Sequence, residues 1–126
     1  MALSANVMRG GFSAGQAVAM GGTAFSSVAA AGSTQTDATA VTSDVAIVTA
    51  ADGTKGVRLP AAQPGDSVVL FNNAGSTLKV YPPTGAAITV QGTGVGSANA
   101  AFSQLTYKTT EYFCVSSTQW FGLTSA

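Results

Sequence analysis

The side chains able to do chemistry in this chain of 126 residues are five carboxylates and one thiol, with no imidazole. General-base catalysis and nucleophile activation most often use histidine, so the commonest hydrolase arrangements are out of reach. Zinc sites draw on several Cys or His ligands, and Cys114 stands alone. The carboxylates Asp37, Asp44, Asp52, Asp66 and Glu111 are scattered. Glycoside hydrolysis needs two of them facing across a cleft, and nothing in their spacing brings a pair together. Asp52 and Asp66 sit in turn sequences, where aspartate bonds to its own local backbone, and no D-x-D run offers calcium its oxygen ligands. The segment Gly92-Thr93-Gly94-Val95-Gly96 lacks the Lys and Ser/Thr of a phosphate-binding loop, and no helical pattern follows it. Cys114 alternates with Tyr112 and Ser116, which turns it inward as a small hydrophobe. Trp120 lies beside Phe121 on a terminal hairpin, where a core or subunit-interface role is favoured over stacking on a sugar. The residues thus point to a protein that is not an enzyme and uses no cofactor and no metal.

Charge is equally sparse. Charged residues make up 8% of the chain, against about 25% in an average soluble domain, and five cations cancel five anions. There is no basic patch for nucleic acid or anionic lipid, and little net charge to keep copies apart. No apolar run reaches the ~18 residues of a membrane span. Residues 1–31 hold one cation, Arg9, and Gly15, Gln16, Gly21 and Gly22 interrupt any apolar run, which argues against a signal peptide. A single cysteine excludes an internal disulfide framework.

The composition divides the chain into residues 1–34, an extended Gly/Ala/Ser-rich arm, and residues 35–126, a β domain. The arm carries isolated apolar anchors and no sustained period, and its glycines weaken any regular element. From Thr36 onward short runs are bounded by Gly, Pro, Asn and Asp, the pattern of an all-β fold. Strands are expected over Val41–Val48, Lys55–Leu59, Ser67–Asn72, Leu78–Tyr81, Ile88–Val90, Ala101–Tyr107, Glu111–Val115 and Gln119–Leu123. Asp52-Gly53 reads as the type I′ turn of a hairpin. Ser67–Asn72 is apolar on both faces, with Val68 and Leu70 on one and Val69 and Phe71 on the other, so each face needs cover. The expected architecture is an antiparallel β-sandwich or jelly-roll-like knob of about eight to nine short strands.

The phrases Val57-Arg58-Leu59-Pro60, Pro64-Gly65-Asp66-Ser67-Val68-Val69-Leu70-Phe71-Asn72 and Leu78-Lys79-Val80-Tyr81-Pro82 occur in this order. With the closing Glu111-Tyr112-Phe113-Cys114-Val115 and Gln119-Trp120-Phe121-Gly122-Leu123, residues 35–124 resemble small bacteriophage capsid decoration (cement, or head-knob) proteins. The resemblance implies a viral structural protein on the outer surface of the phage head, made in the bacterial host cytoplasm. Its implied partners are the major capsid protein and itself, as a homotrimer, with no nucleic acid and no membrane. Leu3, Val7, Met8, Arg9 and Phe12 are the expected capsid-binding residues, since an apolar arm can order when laid across a partner. Val69, Phe71, Trp120 and Phe121 are the expected oligomer interface. The competing reading is a receptor- or glycan-binding module of a tail fibre or adhesin. Such a module presents clustered aromatics beside Asn, Asp and Gln on loops, whereas these loops are mainly Gly, Ala, Ser and Thr.

Overall fold

A computed structural model describes residues 23–126, and the described chain is all β. Its strands are β1 (Thr23–Ala29), β2 (Thr39–Ala40), β3 (Ser43–Ala50), β4 (Gly56–Arg58), β5 (Ser67–Asn72), β6 (Leu78–Tyr81), β7 (Ala87–Val90), β8 (Phe102–Gln104), β9 (Thr109–Ser116) and β10 (Gln119–Thr124). They form a six-stranded sheet, β1-β3-β5-β9-β10-β7, and a four-stranded sheet, β2-β4-β6-β8. From β1 to β6 every connection carries the chain from one sheet to the other. Successive strands within a sheet are therefore parallel: β1 with β3, β3 with β5, β2 with β4, and β4 with β6.

Two expectations from sequence are corrected by this topology. The sheets are mixed rather than antiparallel, with antiparallel pairing confined to β5/β9, β9/β10 and β6/β8. A further parallel pair, β7/β10, closes the far edge. The cause lies at the corners. Asp52-Gly53 joins β3 to β4 in the opposite sheet, so it turns a corner and makes no hairpin. Only Gly53 has positive φ there, +90°, whereas a type I′ turn needs two such residues. Asp52 Oδ1 instead accepts from Thr54 Oγ1 at 2.7 Å, Thr54 N at 2.9 Å and Lys55 N at 3.0 Å, an Asx corner. The second correction concerns the arm. Residues 23–29, placed in it from their composition, form β1 at the edge of the six-stranded sheet. Here ladder bonds to β3 outweigh weak local propensity. Residues 1–22 lie outside the described part.

The buried side chains of both sheets make one cluster, with Val48, Leu70, Tyr112 and Trp120 from the larger sheet meeting Val57, Leu78 and Val80 from the smaller. Inside it sit two amides. Gln104 is fully buried and Asn72 nearly so. Gln104 Oε1 accepts from the Tyr112 hydroxyl at 2.9 Å, and Gln104 Nε2 donates to the carbonyls of Leu70 and Lys108, each at 2.9 Å. Asn72 Nδ2 donates to the carbonyls of Ser76 (3.0 Å), Gln104 (3.0 Å) and Leu105 (3.1 Å), and its Oδ1 accepts from Ala74 N at 3.2 Å. Gln104 belongs to β8, whereas Leu70, Asn72 and Tyr112 belong to β5 and β9, so these bonds cross between sheets. Burial pushes the Tyr112 phenol far up, and it stays neutral and available as a donor.

Two outcomes follow from these contacts. Gln104→Ala orphans the Tyr112 hydroxyl and takes a donor from the Leu70 and Lys108 carbonyls, the second of which keeps its bond from Asn72 N, and with the lost side chain it should cost more than about 2 kcal/mol in urea unfolding. Tyr112→Phe removes one hydroxyl and should cost about 1–2 kcal/mol; equal costs would show that Gln104 is not the hub. Asp52 is the pH-sensitive corner. Its hydrogen bonds, the Thr54 hydroxyl first, hold its carboxyl down at about 2, from an ordinary value of 3.8. A depressed carboxyl stabilises the fold above the ordinary value and loses that contribution as pH falls through the folded one. The stability difference between wild type and Asp52→Ala, read by thermal unfolding, should therefore be constant above pH 5 and close between about pH 4 and 2.

Candidate interaction face

Strand alternation gives each sheet an inward and an outward side. On the four-stranded sheet the outward side is polar and partly covered. The Tyr81 hydroxyl donates to Ser33 O at 2.9 Å, Gln35 Nε2 donates to Pro82 O at 2.7 Å, and Arg58 Nη1 donates to Gln35 O at 3.0 Å. The connection between β1 and β2 is thus fastened over that side. Gly56 on β4 is required there, because a Cβ would stand 2.7 Å from the Tyr81 ring and 2.8 Å from Lys79 O.

The outward side of the six-stranded sheet is the opposite in character. Register aligns Phe25, Val45, Val69, Glu111 and Leu123 in one row across β1, β3, β5, β9 and β10. The row on one side runs Ser27, Ile47, Phe71 and Thr109, and the row on the other runs Ser67, Phe113, Phe121 and Thr89, so apolar side chains fill the middle of the face and hydroxyls its margins. Phe25, Phe71, Phe113, Val115, Phe121 and Leu123 are between 37% and 55% exposed. Five strand spacings of ~4.8 Å and strands of about six residues give a face roughly 24 Å by 20 Å, at the upper end of apolar patches on monomeric proteins. Glu111 is half-buried near its middle, between Val69 on β5 and Leu123 on β10. From Phe25 onward it is the one charged side chain at the outward positions of these strands. Among the described residues no hydrogen bond or ion pair reaches its carboxylate.

Of the interface residues expected from sequence, the structure brings Val69, Phe71 and Phe121 together on this face. Trp120 is corrected. It pairs with Cys114 and Ile88, points inward and is fully buried, since a period of two sends Phe121 out and Trp120 in. Its indole N–H has no hydrogen-bond partner among the described residues. The expected capsid-binding residues Leu3, Val7, Met8, Arg9 and Phe12 lie outside the described residues. Sequence reasoning missed Phe25, Phe113, Val115, Leu123 and Glu111. The available signal was apolar alternation on both faces of β9 and β10, the same signal that marked Ser67–Asn72.

The remaining chemistry-bearing groups are dispersed. Cys114 is buried, its Sγ donates to Ser116 O at 3.1 Å, and burial pushes its thiol up, away from the reactive thiolate. Among the described residues no three of His, Cys, Asp and Glu gather in a metal-binding group. A shallow groove of about 270 Å³ runs beside Ile88, Val95 and Phe102, with no titratable side chain in its lining.

The two neighbours on β10 should separate fold from face. Trp120→Ala should cost about 3–5 kcal/mol in urea unfolding, as a large buried side chain does. Phe121→Thr should cost about 1 kcal/mol or less, Thr being a good strand residue at a half-exposed site. Similar costs would mean that the outward face is part of the folding core. No family model, no curated protein and no solved structure matches the chain.

Proposed function

We propose that this protein is a structural component of a bacteriophage head: a decoration, or cement, protein of sandwich-like knob shape that attaches to the outer capsid surface as a homotrimer and stabilises it. The observation that supports this reading is the open apolar face of the six-stranded sheet. Sheets built from parallel strands are ordinarily covered on both sides, and here β1, β3 and β5 are parallel with one side open. Self-association supplies the cover. A neutral chain with few charges opposes that association weakly.

A trimer suits the task mechanically. A head packed with DNA is loaded at the seams between capsomers, and three linked copies attach multivalently. Once one copy is bound, the others rebind at an effective concentration far above that of free protein. Modest individual contacts then give slow release. The sequence resemblance implies attachment at capsid symmetry axes, and at a threefold or quasi-threefold position a trimer matches the symmetry of its target.

The test uses heads lacking the protein. Full-length protein should co-sediment with them and raise the temperature at which they rupture. Cross-linking of the bound material should give trimers, and fewer of them for Phe113→Asp. Absence of any affinity for heads would end the capsid reading, and monomers throughout would end the trimer.

A further inference from the structure

We propose that the β8–β9 turn of one copy docks on the outward face of the six-stranded sheet of the next copy. Leu105 and Tyr107 then lie among the apolar side chains of that face, and the Lys108 ammonium meets the Glu111 carboxylate. The contact rests on the trimer reading above and names the second surface that a trimer needs.

Symmetry asks for that second surface. A patch that covers its own counterpart builds a twofold pair, whereas a threefold ring joins two different patches on each copy. Face against face would also bring two Glu111 carboxylates, each near the middle of its face, into one apolar contact, where like charges repel and neither is solvated. The complementary surface is therefore apolar, carries a cation and lies elsewhere on the molecule. Outside the face, the exposed large apolar side chains among the described residues are Val95, Leu105 and Tyr107. The last two share the turn Leu105-Thr106-Tyr107-Lys108 with a cation. Lys55, Arg58 and Lys79 have no exposed large apolar side chain beside them in the chain. Lys108 donates to the Ala126 carbonyl, which leaves its ammonium two further N–H donors for a carboxylate.

The backbone of the turn points the same way. Tyr107 has φ +57°, in the left-handed region, at the third position of the turn, where glycine is the ordinary occupant. Asn99 is the other described residue with positive φ that is not glycine, and asparagine tolerates that region far better than an aromatic residue does. The Tyr107 side chain is 70% exposed, so burial within its own copy offsets little of this strain. Such strain persists where the surroundings enforce it, and it collects at binding sites. Hydrogen bonds enforce it here. Tyr107 N donates to Asn72 O at 2.8 Å, Lys108 N to Leu105 O at 3.3 Å, Asn72 Nδ2 to Leu105 O at 3.1 Å, and Thr106 Oγ1 to the Ala74 carbonyl. The exposed side chains thus project from a fixed backbone, which lowers the entropy lost on docking.

Position suits a ring. Lys108 leads into Thr109, the first residue of β9, at the margin of the face beside Phe71. The turn is therefore at the end of the sheet, round the corner from its own copy's face. Patches that meet at a corner rotate each copy relative to the last and close a ring, whereas patches on opposite sides stack copies into a filament. Lys108 does not serve its own Glu111, which is three residues along, about 10 Å away and on the other side of the strand.

Sedimentation velocity of free protein, without heads, tests the contact. Lys108→Glu and Glu111→Lys should each raise the trimer dissociation constant at least about tenfold, as reversal of one charge in a desolvated pair does. The double variant Lys108→Glu/Glu111→Lys should regain trimers. Tyr107→Gly removes the ring and relieves the strained φ, so it should weaken the trimer at least about tenfold and leave the urea midpoint of dilute protein close to wild type. Circular dichroism of Glu111→Lys checks that β9 still folds, and Lys108→Glu with Tyr107→Gly carries the test if it does not. Trimers of unchanged affinity in Lys108→Glu and Tyr107→Gly would overturn the contact while leaving the trimer standing. Weakened single variants with no recovery in the double variant would overturn the Lys108–Glu111 pairing. A large fall in the urea midpoint of Tyr107→Gly would make its ring part of the fold and remove it from the docking surface. A wild type that is monomeric, or dimeric at every concentration, would overturn both this contact and the trimer on which it rests.

Discussion

The Gln104 side chain ties the two sheets together. Every strand from β1 to β6 hands the chain across the core, so within that winding no two consecutive strands share a ladder. Backbone hydrogen bonds then hold each sheet together without holding the sheets to each other. Apolar contact joins them, but it is non-directional and does not fix register between layers. Gln104, on the edge strand β8, reaches the Leu70 carbonyl on β5 and the Tyr112 hydroxyl on β9. Asn72 answers from β5 by donating to Gln104's own carbonyl. A buried amide left unsatisfied is costly, so these bonds specify one relative placement of the layers in a way that Val and Leu cannot.

That placement decides which residues face water. Register along β9 and β10 sends Tyr112, Cys114 and Trp120 inward and Glu111, Phe113, Phe121 and Leu123 outward. A slip of one residue in either strand would exchange the sets. The buried Trp120 and the exposed Phe121 therefore divide the labour of a single dipeptide: one fills the core, and the other is left for a partner.

Much of this was legible in the sequence, and the rest was hidden for a definite reason. Ser67–Asn72 and Leu78–Tyr81 read directly as strands, because Pro64-Gly65 and Pro82-Pro83 punctuate them and β-branched residues fill them. The final hairpin was equally plain. Pairing was not, because turn chemistry reports that the chain reverses and not which sheet receives it. Asp52-Gly53 and Asn73-Ala74-Gly75 serve a corner between layers as well as they would serve a hairpin. β1 was obscured by a Gly/Ala/Ser composition whose order comes from β3 alongside it. On the face, Val69 and Phe71 stood out because an apolar residue on the second side of a strand needs an explanation, and Phe121 because aromatics concentrate on the last hairpin. Trp120 was misassigned because an aromatic pair reads alike from either side until register is known. Glu111 went unnoticed because a lone carboxylate gains meaning only from apolar neighbours on other strands.

Parallel pairing sharpens the significance of the open face. An antiparallel sheet commonly leaves one side to water and carries polar residues there. β1, β3 and β5 are parallel, and at the outward positions they present Phe25, Val45, Ile47, Val69 and Phe71, with Ser27, Thr49 and Ser67 toward the margins. The four-stranded sheet shows what this chain does when a side is meant to be closed within one copy. Ser33, Gln35 and Arg58 fasten a connecting segment across it with backbone and side-chain bonds. No described segment does the same for the larger sheet. The two sides were thus treated differently within one small molecule, the polar one closed by hydrogen bonds and the apolar one open around a single carboxylate. A surface of that composition costs solubility in isolation and gains from any contact that removes it from water. The carboxylate makes the gain selective, since only a partner carrying a positive group covers the face without stranding a charge.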